Sequence, residues 1–273
     1  MLKPLPSVLL AFIGVCAAVI AGEGQISMRL FLIAAAVLLA AAGANGLTNY
    51  LDRDLDARMR RTCLRSLASG IISPPQKVLP WLIFLIIAGL ALAWFLHPLA
   101  LLADLIGTLV AATWRKKVTC IYPQGMIASC APILMGWFAV TTVLSWDILL
   151  LCGLVAVWLP LHVWSVIIVH REEYIRAGLD FFPINTEVGK SVRTLLVFAV
   201  VLLGVSVALY FVGGFGWLYL AAAVLLGSMM VWASARLVVS HGEGYAWRLY
   251  KLSSFPYLGV IFLVMCLDLW LLA

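Results

Sequence analysis

The sequence predicts an all-α membrane protein that crosses the bilayer many times. Hydrophobic residues make up 65% of the 273-residue chain, and its mean hydropathy is +1.11. The apolar runs are repeatedly long enough to cross a bilayer, which requires about 20 residues of α-helix. Only 11% of the residues are charged, so the charged segments stand out between the runs. We expect a single transmembrane domain over 1–273 and no soluble domain.

Polar breaks divide the apolar sequence into nine predicted transmembrane helices. In chain order they lie near residues 5–22, 29–49, 78–96, 98–113, 126–144, 148–169, 194–212, 216–235 and 254–272. We interpret the first as a retained helix rather than a signal peptide, because further spans follow and no small-residue cleavage pattern stands out. The six cysteines show no paired or metal-type spacing, so we expect free thiols.

The basic residues predict how the chain is oriented in the membrane. If the N-terminus is cytoplasmic, 17 of the 18 lysines and arginines fall on the cytoplasmic side, and only Arg29 lies outside. Anionic lipid at that face then explains the net charge of +6 without a nucleic-acid partner. We therefore expect an integral, multi-pass protein of the cell membrane. Its long polar loops, after predicted helices two, four, six and eight, are cytoplasmic and can form one polar site.

The segment NYLDRDLDARMRRT at 49–62 concentrates charge directly after the second predicted helix. It contains three aspartates and four arginines. If the helix continues, Asp52 and Asp56 project from one face because they are four residues apart, whereas Asp54 points elsewhere. Two parallel carboxylates repel unless a cation lies between them, and Mg²⁺ takes one or two carboxylates together with water and phosphate oxygens. The spacing favours a metal and phosphate site over a solvated loop whose acids pair with nearby arginines.

Other ionisable residues are also candidates for a site. Glu172 and Glu173 form a second acidic pair after the sixth predicted helix, which parity places on the same membrane face as the aspartates. His162 lies inside that helix, where an imidazole either bonds to a neighbouring helix or acts on a substrate. The sequence alone leaves both interpretations open. Asp104 and Asp268 lie within spans four and nine, and we assign them no chemical role.

Several segments resemble the UbiA superfamily of intramembrane prenyltransferases. The segment 49–62 resembles its first aspartate-rich motif, and LRSLASGIISP at 64–74 resembles the continuation of that motif in the protoheme IX farnesyltransferase branch. Further similar segments follow in the expected order: LKPL (2–5), WRKKVT (114–119), GWFAVT (136–141), WLPLHVWSVIIVHREEYIRAGLDFFP (158–183) and WRLYKLSS (247–254). The block at 158–183 indicates the haem branch, because other branches carry a second Asp-x-x-x-Asp element there.

The chain departs from the family pattern at several positions. Thr48 replaces an asparagine, Leu5 an arginine and Ser66 a proline, and Glu172 and Glu173 replace aspartates. The glutamates keep their charge and metal affinity with one extra methylene each, whereas Thr48 removes one polar contact. These departures leave room for a different acceptor.

The resemblance implies a Mg²⁺-dependent transfer of a farnesyl group from farnesyl diphosphate to a vinyl group of protohaem IX. It assigns Mg²⁺ binding and catalysis to Asp52 and Asp56. To Glu172 and Glu173 it assigns either a second ion or the positioning of the loop. It matches His162 to a histidine of the haem branch, which implies contact with the porphyrin or help with proton or water chemistry. The other substrate-binding residues that we predict are Asn49, Arg61, Arg65, Lys116, Lys117 and Tyr174.

Other functions remain open at this point. A secondary transporter would place ionisable and helix-breaking residues near mid-span in matching halves, whereas the charges here gather on one face, so the sequence disfavours transport. A non-catalytic homologue would retain the fold and tolerate the departures at Thr48, Ser66 and the glutamate pair. Among enzymes, a prenyltransferase with an aromatic or lipid acceptor is the main alternative.

Overall fold

The computed structural model describes residues 2–113 and 122–272, and the regular structure in them is entirely helical. The helices are α1 (Pro4–Ala21), α2 (Arg29–Leu51), α3 (Arg53–Asp56), α4 (Leu79–Leu96), α5 (Pro98–Thr113), α6 (Tyr122–Phe138), α7 (Trp146–Val169), α8 (Arg171–Arg176), α9 (Val188–Val212), α10 (Trp217–Ser240), α11 (Glu243–Leu252) and α12 (Val260–Leu272). A 3-10 turn, Pro75–Val78, precedes α4, and a π-helical segment, Ser253–Gly259, joins α11 to α12. The predicted all-α fold is confirmed.

Each of the nine predicted spans coincides with a helix of the described residues, although some boundaries differ. Seven helical segments there are long and apolar enough to cross a membrane. Helix α6 ends at Phe138 instead of 144, and α9 begins at Val188 instead of 194. Lys190 and Arg193 lie in the first turns of α9, and hydropathy detects only the apolar part of a helix that continues through charged residues.

The chain forms two compact units. The first contains Met1–Ala18, Ile26–Thr142 and Arg176–Leu179, and the second contains Val19–Gln25, Val143–Ile175 and Asp180–Ala273. In the first unit α2 packs against α4, and α5 packs against α6. Small residues permit this close approach. A Cβ added at Gly89 of α4 would lie 2.7 Å from the backbone nitrogen of Ala40 in α2.

A polar network stabilises the second unit, in which α9 packs against α7 and α10. Asp268 of α12 accepts hydrogen bonds from the backbone N–H groups of Gly216 (2.5 Å) and Tyr219 (3.0 Å). These groups belong to the first turn of α10, where backbone donors have no partner within the helix. The Tyr219 hydroxyl donates to the Ser206 carbonyl, and the hydroxyls of Ser206 and Tyr257 are 2.7 Å apart. Asp268 therefore caps a helix, which explains a carboxylate in an apolar span.

Candidate active site

The aspartates of segment 49–62 lie where α2 passes into α3. The Asp52 N–H donates to the Thr48 carbonyl (2.9 Å), and the Asp56 N–H donates to the Asp52 carbonyl (2.8 Å), so helical hydrogen bonding continues through the motif. Asp52 is 5% exposed and Asp56 is 1% exposed, whereas the Asp54 side chain is 81% exposed. The predicted division of the three aspartates between two faces is confirmed.

Arg65 connects the buried carboxylate of Asp56 to the end of α2. Its Nη1 donates to Asp56 Oδ2 at 2.8 Å and to Asn49 Oδ1 at 3.1 Å. The Thr62 hydroxyl donates to the Asp56 carbonyl at 3.0 Å and holds the same turn. Residues 57–65 therefore fold back onto the aspartate motif. Helical spacing gave no indication of this ion pair, because nine residues separate Arg65 from Asp56.

Other side chains in and next to the motif make contacts away from the two buried aspartates or are exposed. The Thr48 hydroxyl donates to the backbone carbonyls of Ala44 (2.8 Å) and Ala111 (3.3 Å). Its donor therefore serves the helix backbone and ties α2 to α5. Arg53 lies over the Tyr50 ring, 4.6 Å from its centroid. Arg61 is exposed.

The two buried aspartates fit Mg²⁺ only if other ligands complete its coordination shell. Among the residues that the structure describes, no group of three or more His, Cys, Asp or Glu side chains is arranged to hold a metal ion. Mg²⁺ usually keeps several waters and binds through one or two carboxylates together with substrate phosphates. Asp52 and Asp56 therefore suit an ion that arrives with a diphosphate.

His162 of α7 lies in an aromatic cluster of the second unit. Its Nδ1 is 3.0 Å from the hydroxyl of Ser253, in the π-helical segment. The imidazole stacks on Trp158 with ring centroids 4.8 Å apart, and Tyr250 of α11 lies 4.7 Å away. The Trp158 indole N–H donates to the Ser253 carbonyl. The hydrogen bond to another helical segment that we considered for His162 is present, and its role with a substrate stays a prediction.

The second acidic pair lies on the short helix α8. Glu172 is exposed, and Glu173 is half-buried with Oε1 3.8 Å from His170 Nδ1. Consecutive helical residues point about 100° apart, so the two carboxylates diverge. The preceding Arg171 donates to the Ile184 carbonyl at 2.8 Å and ties α8 to the loop that follows it.

The predicted site residues are distributed over both compact units, and four of them are close together in the first unit. Asn49, Asp52, Asp56 and Arg65 lie together in the first unit. Tyr174 is buried in the second unit, with its ring centroid 6.2 Å from that of Phe181. The predicted residues Lys116 and Lys117 lie outside the described residues.

Fold and sequence together define the class of protein. The protein is an integral, multi-pass membrane protein with two buried aspartates at the end of a membrane helix, and an arginine binds one of them. The chain belongs to the UbiA prenyltransferase family, whose pattern matches residues 7–255. This confirms the family that the sequence motifs indicate.

Curated relatives extend the similarity over nearly the whole chain. A protoheme IX farnesyltransferase of Desulforudis audaxviator is 41% identical, over 98% of this chain and 87% of that protein. Relatives with the same name are 33% identical in Gloeobacter violaceus, over 97% of this chain and 89% of the relative, and 32% identical in Streptomyces coelicolor, over 91% and 82%.

Solved structures share the fold at low sequence identity. A structure of digeranylgeranylglyceryl phosphate synthase matches with a TM-score of 0.80 and 19% identity, covering 98% of this chain and 96% of that chain. A UbiA homologue from Archaeoglobus fulgidus, bound to GPP and Mg²⁺, matches with a TM-score of 0.65 and 14% identity, covering 97% and 98%. These likenesses confirm the UbiA-type fold.

Proposed function

We propose that the protein transfers a farnesyl group from farnesyl diphosphate to a vinyl group of protohaem IX and so makes haem O. The observation that carries the proposal is the buried pair Asp52 and Asp56 at the end of a membrane helix, with Asp56 bound to Arg65. Such an enzyme must hold a diphosphate near the membrane surface while the apolar chain stays in the bilayer. The relatives named protoheme IX farnesyltransferase, similar over nearly the full chain, support this choice of substrates.

Asp52 and Asp56 are the residues that would hold Mg²⁺ in this reaction. Mg²⁺ supplies positive charge that stabilises the negative charge developing on the departing diphosphate. Arg65 keeps the Asp56 carboxylate in one orientation. Both of its observed side-chain contacts use Nη1, and a guanidinium has five N–H donors, so its other nitrogens can reach a diphosphate. We propose further diphosphate contacts for Asn49, Arg61, Lys116 and Lys117.

We propose that protohaem binds beside His162. The rings of Trp158 and Tyr250 give this part of the second unit an aromatic surface that suits a planar macrocycle. Buried Tyr174 is a second proposed substrate contact. Glu172 and Glu173 are proposed to hold a further ion or, since their carboxylates diverge, to position the loop.

The proposed reaction needs no covalent enzyme intermediate. The C–O bond to the diphosphate breaks, and its electron pair leaves with the diphosphate. The vinyl group of the acceptor then bonds to the allylic carbon, and water captures the cation that remains on the neighbouring vinyl carbon. Apolar side chains around the prenyl tail keep other water away from the allylic cation.

Orientation and domain organisation are part of the proposal. We place the N-terminus and the active-site loops on the cytoplasmic side of the cell membrane, because that orientation puts 17 of 18 basic residues there. We treat 1–273 as one prenyltransferase domain. The family match at 7–255 includes residues of both compact units, which supports this treatment.

Product analysis tests the proposal directly. Purified protein in lipid is incubated with Mg²⁺, farnesyl diphosphate and protohaem, and the pigment is weighed by mass spectrometry. We expect conversion of protohaem to haem O, lost when Mg²⁺ is chelated. Failure with protohaem alongside prenylation of an aromatic or lipid acceptor would favour the alternative enzyme. Failure to consume farnesyl diphosphate with every acceptor would indicate a non-catalytic homologue.

A further inference from the structure

A cavity of about 230 Å³ lies within the first unit, among α1, α2, α5 and α6. Much of its wall consists of small apolar residues, among them Ala41, Ala44 and Gly107. It is also lined by a set of polar side chains: Lys3, Asn45, Thr48, Asp104, Thr108 and Ser129. A cavity with this wall is suited to a polar occupant rather than to hydrocarbon alone.

Asp104 is the most unusual residue of this wall. It is 6% exposed, and its Oδ2 has no hydrogen-bond partner among the described residues. By contrast, Asp268 of α12 accepts two backbone N–H bonds and caps a helix. A buried carboxyl oxygen without a hydrogen-bond partner destabilises the folded protein, because it has lost its bonds to water. Asp104 therefore requires a partner in the cavity that the described residues do not provide.

Water is the occupant that best fits the cavity. A buried site holds water when it is roomy and offers each molecule two to four polar partners. Asp104 and Thr108 are one helical turn apart and so share a face of α5. Ser129 lines the same cavity from α6. A hydrocarbon chain would leave the Asp104 oxygen unsatisfied, whereas a small cluster of water molecules can bond to it and to the hydroxyls.

The cavity begins close to the aspartate motif. Thr48 lines it, and the Asp52 N–H donates to the Thr48 carbonyl, so one helical turn separates the cavity from Asp52. The Thr48 hydroxyl also contacts the Ala111 carbonyl of α5. Asp104 is seven residues before Ala111, which corresponds to about 10 Å of helical rise. The cavity thus extends from the level of the motif towards the middle of the membrane.

We propose that this cavity holds water anchored by Asp104 and supplies the molecule that is added to the acceptor. This inference rests on the proposed function, in which water captures the cation on the vinyl carbon. The water oxygen contributes an electron pair to the new C–O bond, and its proton passes to the diphosphate that departed earlier. Without water, the same cation loses a proton from the adjacent carbon and forms an alkene. Asp104 is a positioning residue, because it acts through the water.

The product ratio is the first test. In the Asp104→Leu variant the anchored water is lost, and we expect the product to shift several-fold towards the alkene, which is lighter than haem O by one water molecule. Asp104→Asn retains hydrogen-bonding groups at the same position and should restore the hydroxylated product. The matched control is Asp147→Leu, which removes a carboxylate from the first turn of α7. An unchanged product ratio in Asp104→Leu would overturn the proposal.

The second test measures hydration without using turnover. Thr108→Cys places a thiol in the cavity wall, whereas Leu109→Cys places one on an exposed face of the same helix, towards lipid. In proteoliposomes, a small hydrophilic methanethiosulfonate reagent should label Cys at 108 and not at 109, as read by peptide mass spectrometry. Adding Asp104→Leu should suppress that labelling. No labelling at 108 would overturn the hydrated cavity. Labelling without any conversion of protohaem would reject the proposed function and the water supply, and leave the hydrated cavity standing.

Discussion

The two acidic clusters of this chain look alike in sequence but are held differently in the structure. In the first unit Asp52 and Asp56 are buried, and Arg65 contacts Asp56 at 2.8 Å. In the second unit Glu172 is exposed, and Glu173 lies 3.8 Å from His170. A buried carboxylate with a fixed arginine keeps one orientation. An exposed glutamate retains most of its rotamer freedom and loses entropy when it binds a ligand.

From this difference we expect the two acidic clusters to contribute unequally to stabilising the departing diphosphate. Preorganised charge stabilises a transition state without reorganisation at the moment of reaction. The aspartate cluster meets that condition and the glutamate cluster does so less well. We therefore expect diphosphate departure to depend strongly on the aspartates and only moderately on the glutamates.

The largest effect is expected from the aspartates. Asp52→Asn or Asp56→Asn removes a charged metal ligand while keeping the size of the side chain. We expect turnover of farnesyl diphosphate to fall on the order of 100-fold or more, in line with the loss of a major transition-state contact. Membrane insertion should be unchanged, because it depends on the apolar spans. Steady-state kinetics at saturating protohaem measures the loss.

A matched control residue lies between Asp52 and Asp56 in the sequence. Asp54 belongs to the same motif, and its side chain is 81% exposed. Asp54→Asn should keep turnover within about twofold, since exposed ion pairs contribute little. Near-normal turnover in Asp52→Asn at limiting Mg²⁺, or a loss in Asp54→Asn as large as in Asp56→Asn, would contradict the assignment.

The next effect is expected at Arg65. Arg65→Ala removes the contacts to Asp56 and Asn49 and leaves a buried carboxylate without this partner. We expect a stability loss of about 1–3 kcal/mol and a drop in turnover on the order of tenfold. Thermal unfolding in detergent and kinetics measure the two quantities. Arg58→Ala is the control, because Arg58 is exposed on the same segment. Equal behaviour of the two variants would remove the special role of Arg65.

A selective effect is expected at His162. His162→Ala removes the contact to Ser253 and the stacking on Trp158. A hydrogen bond is worth about 1 kcal/mol, which corresponds to about a fivefold change in an equilibrium constant. We expect protohaem conversion to weaken by about that factor, while binding of a nonhydrolysable farnesyl diphosphate analogue stays intact. Loss of analogue binding without a haem-specific defect would reject the placement of haem beside His162.

The smallest effects are expected from the glutamates. Glu173→Gln weakens the contact to His170, and we expect turnover to fall about two- to threefold. Glu172→Gln changes an exposed side chain and should stay within about twofold. Kinetics at several Mg²⁺ concentrations would show whether either residue affects the metal requirement. A defect in Glu172→Gln as large as that of Asp52→Asn would remove the contrast between the two clusters.

The sequence predicted the fold and the aspartate face because both follow from local periodicity. Apolar runs predicted nine spans that each coincide with a helix of the described residues, and a spacing of four separated Asp52 and Asp56 from Asp54. The ion pair between Arg65 and Asp56 and the contact between His162 and Ser253 depend on how distant segments pack, which no local spacing records. The same limit applies to the intramembrane aspartates. Asp268 and Asp104 look equivalent in sequence, yet one caps a helix and the other faces a cavity.

Metal-dependent ligand binding tests the central claim most directly. Isothermal titration of a nonhydrolysable farnesyl diphosphate analogue is performed with and without Mg²⁺ on the wild-type protein, on Asp52→Asn/Asp56→Asn and on Glu172→Gln/Glu173→Gln. The account predicts tight, Mg²⁺-dependent binding to the wild type, loss of the Mg²⁺ dependence in the aspartate variant and its retention in the glutamate variant. Mg²⁺-dependent binding that survives removal of both aspartates but disappears with the glutamates would contradict it.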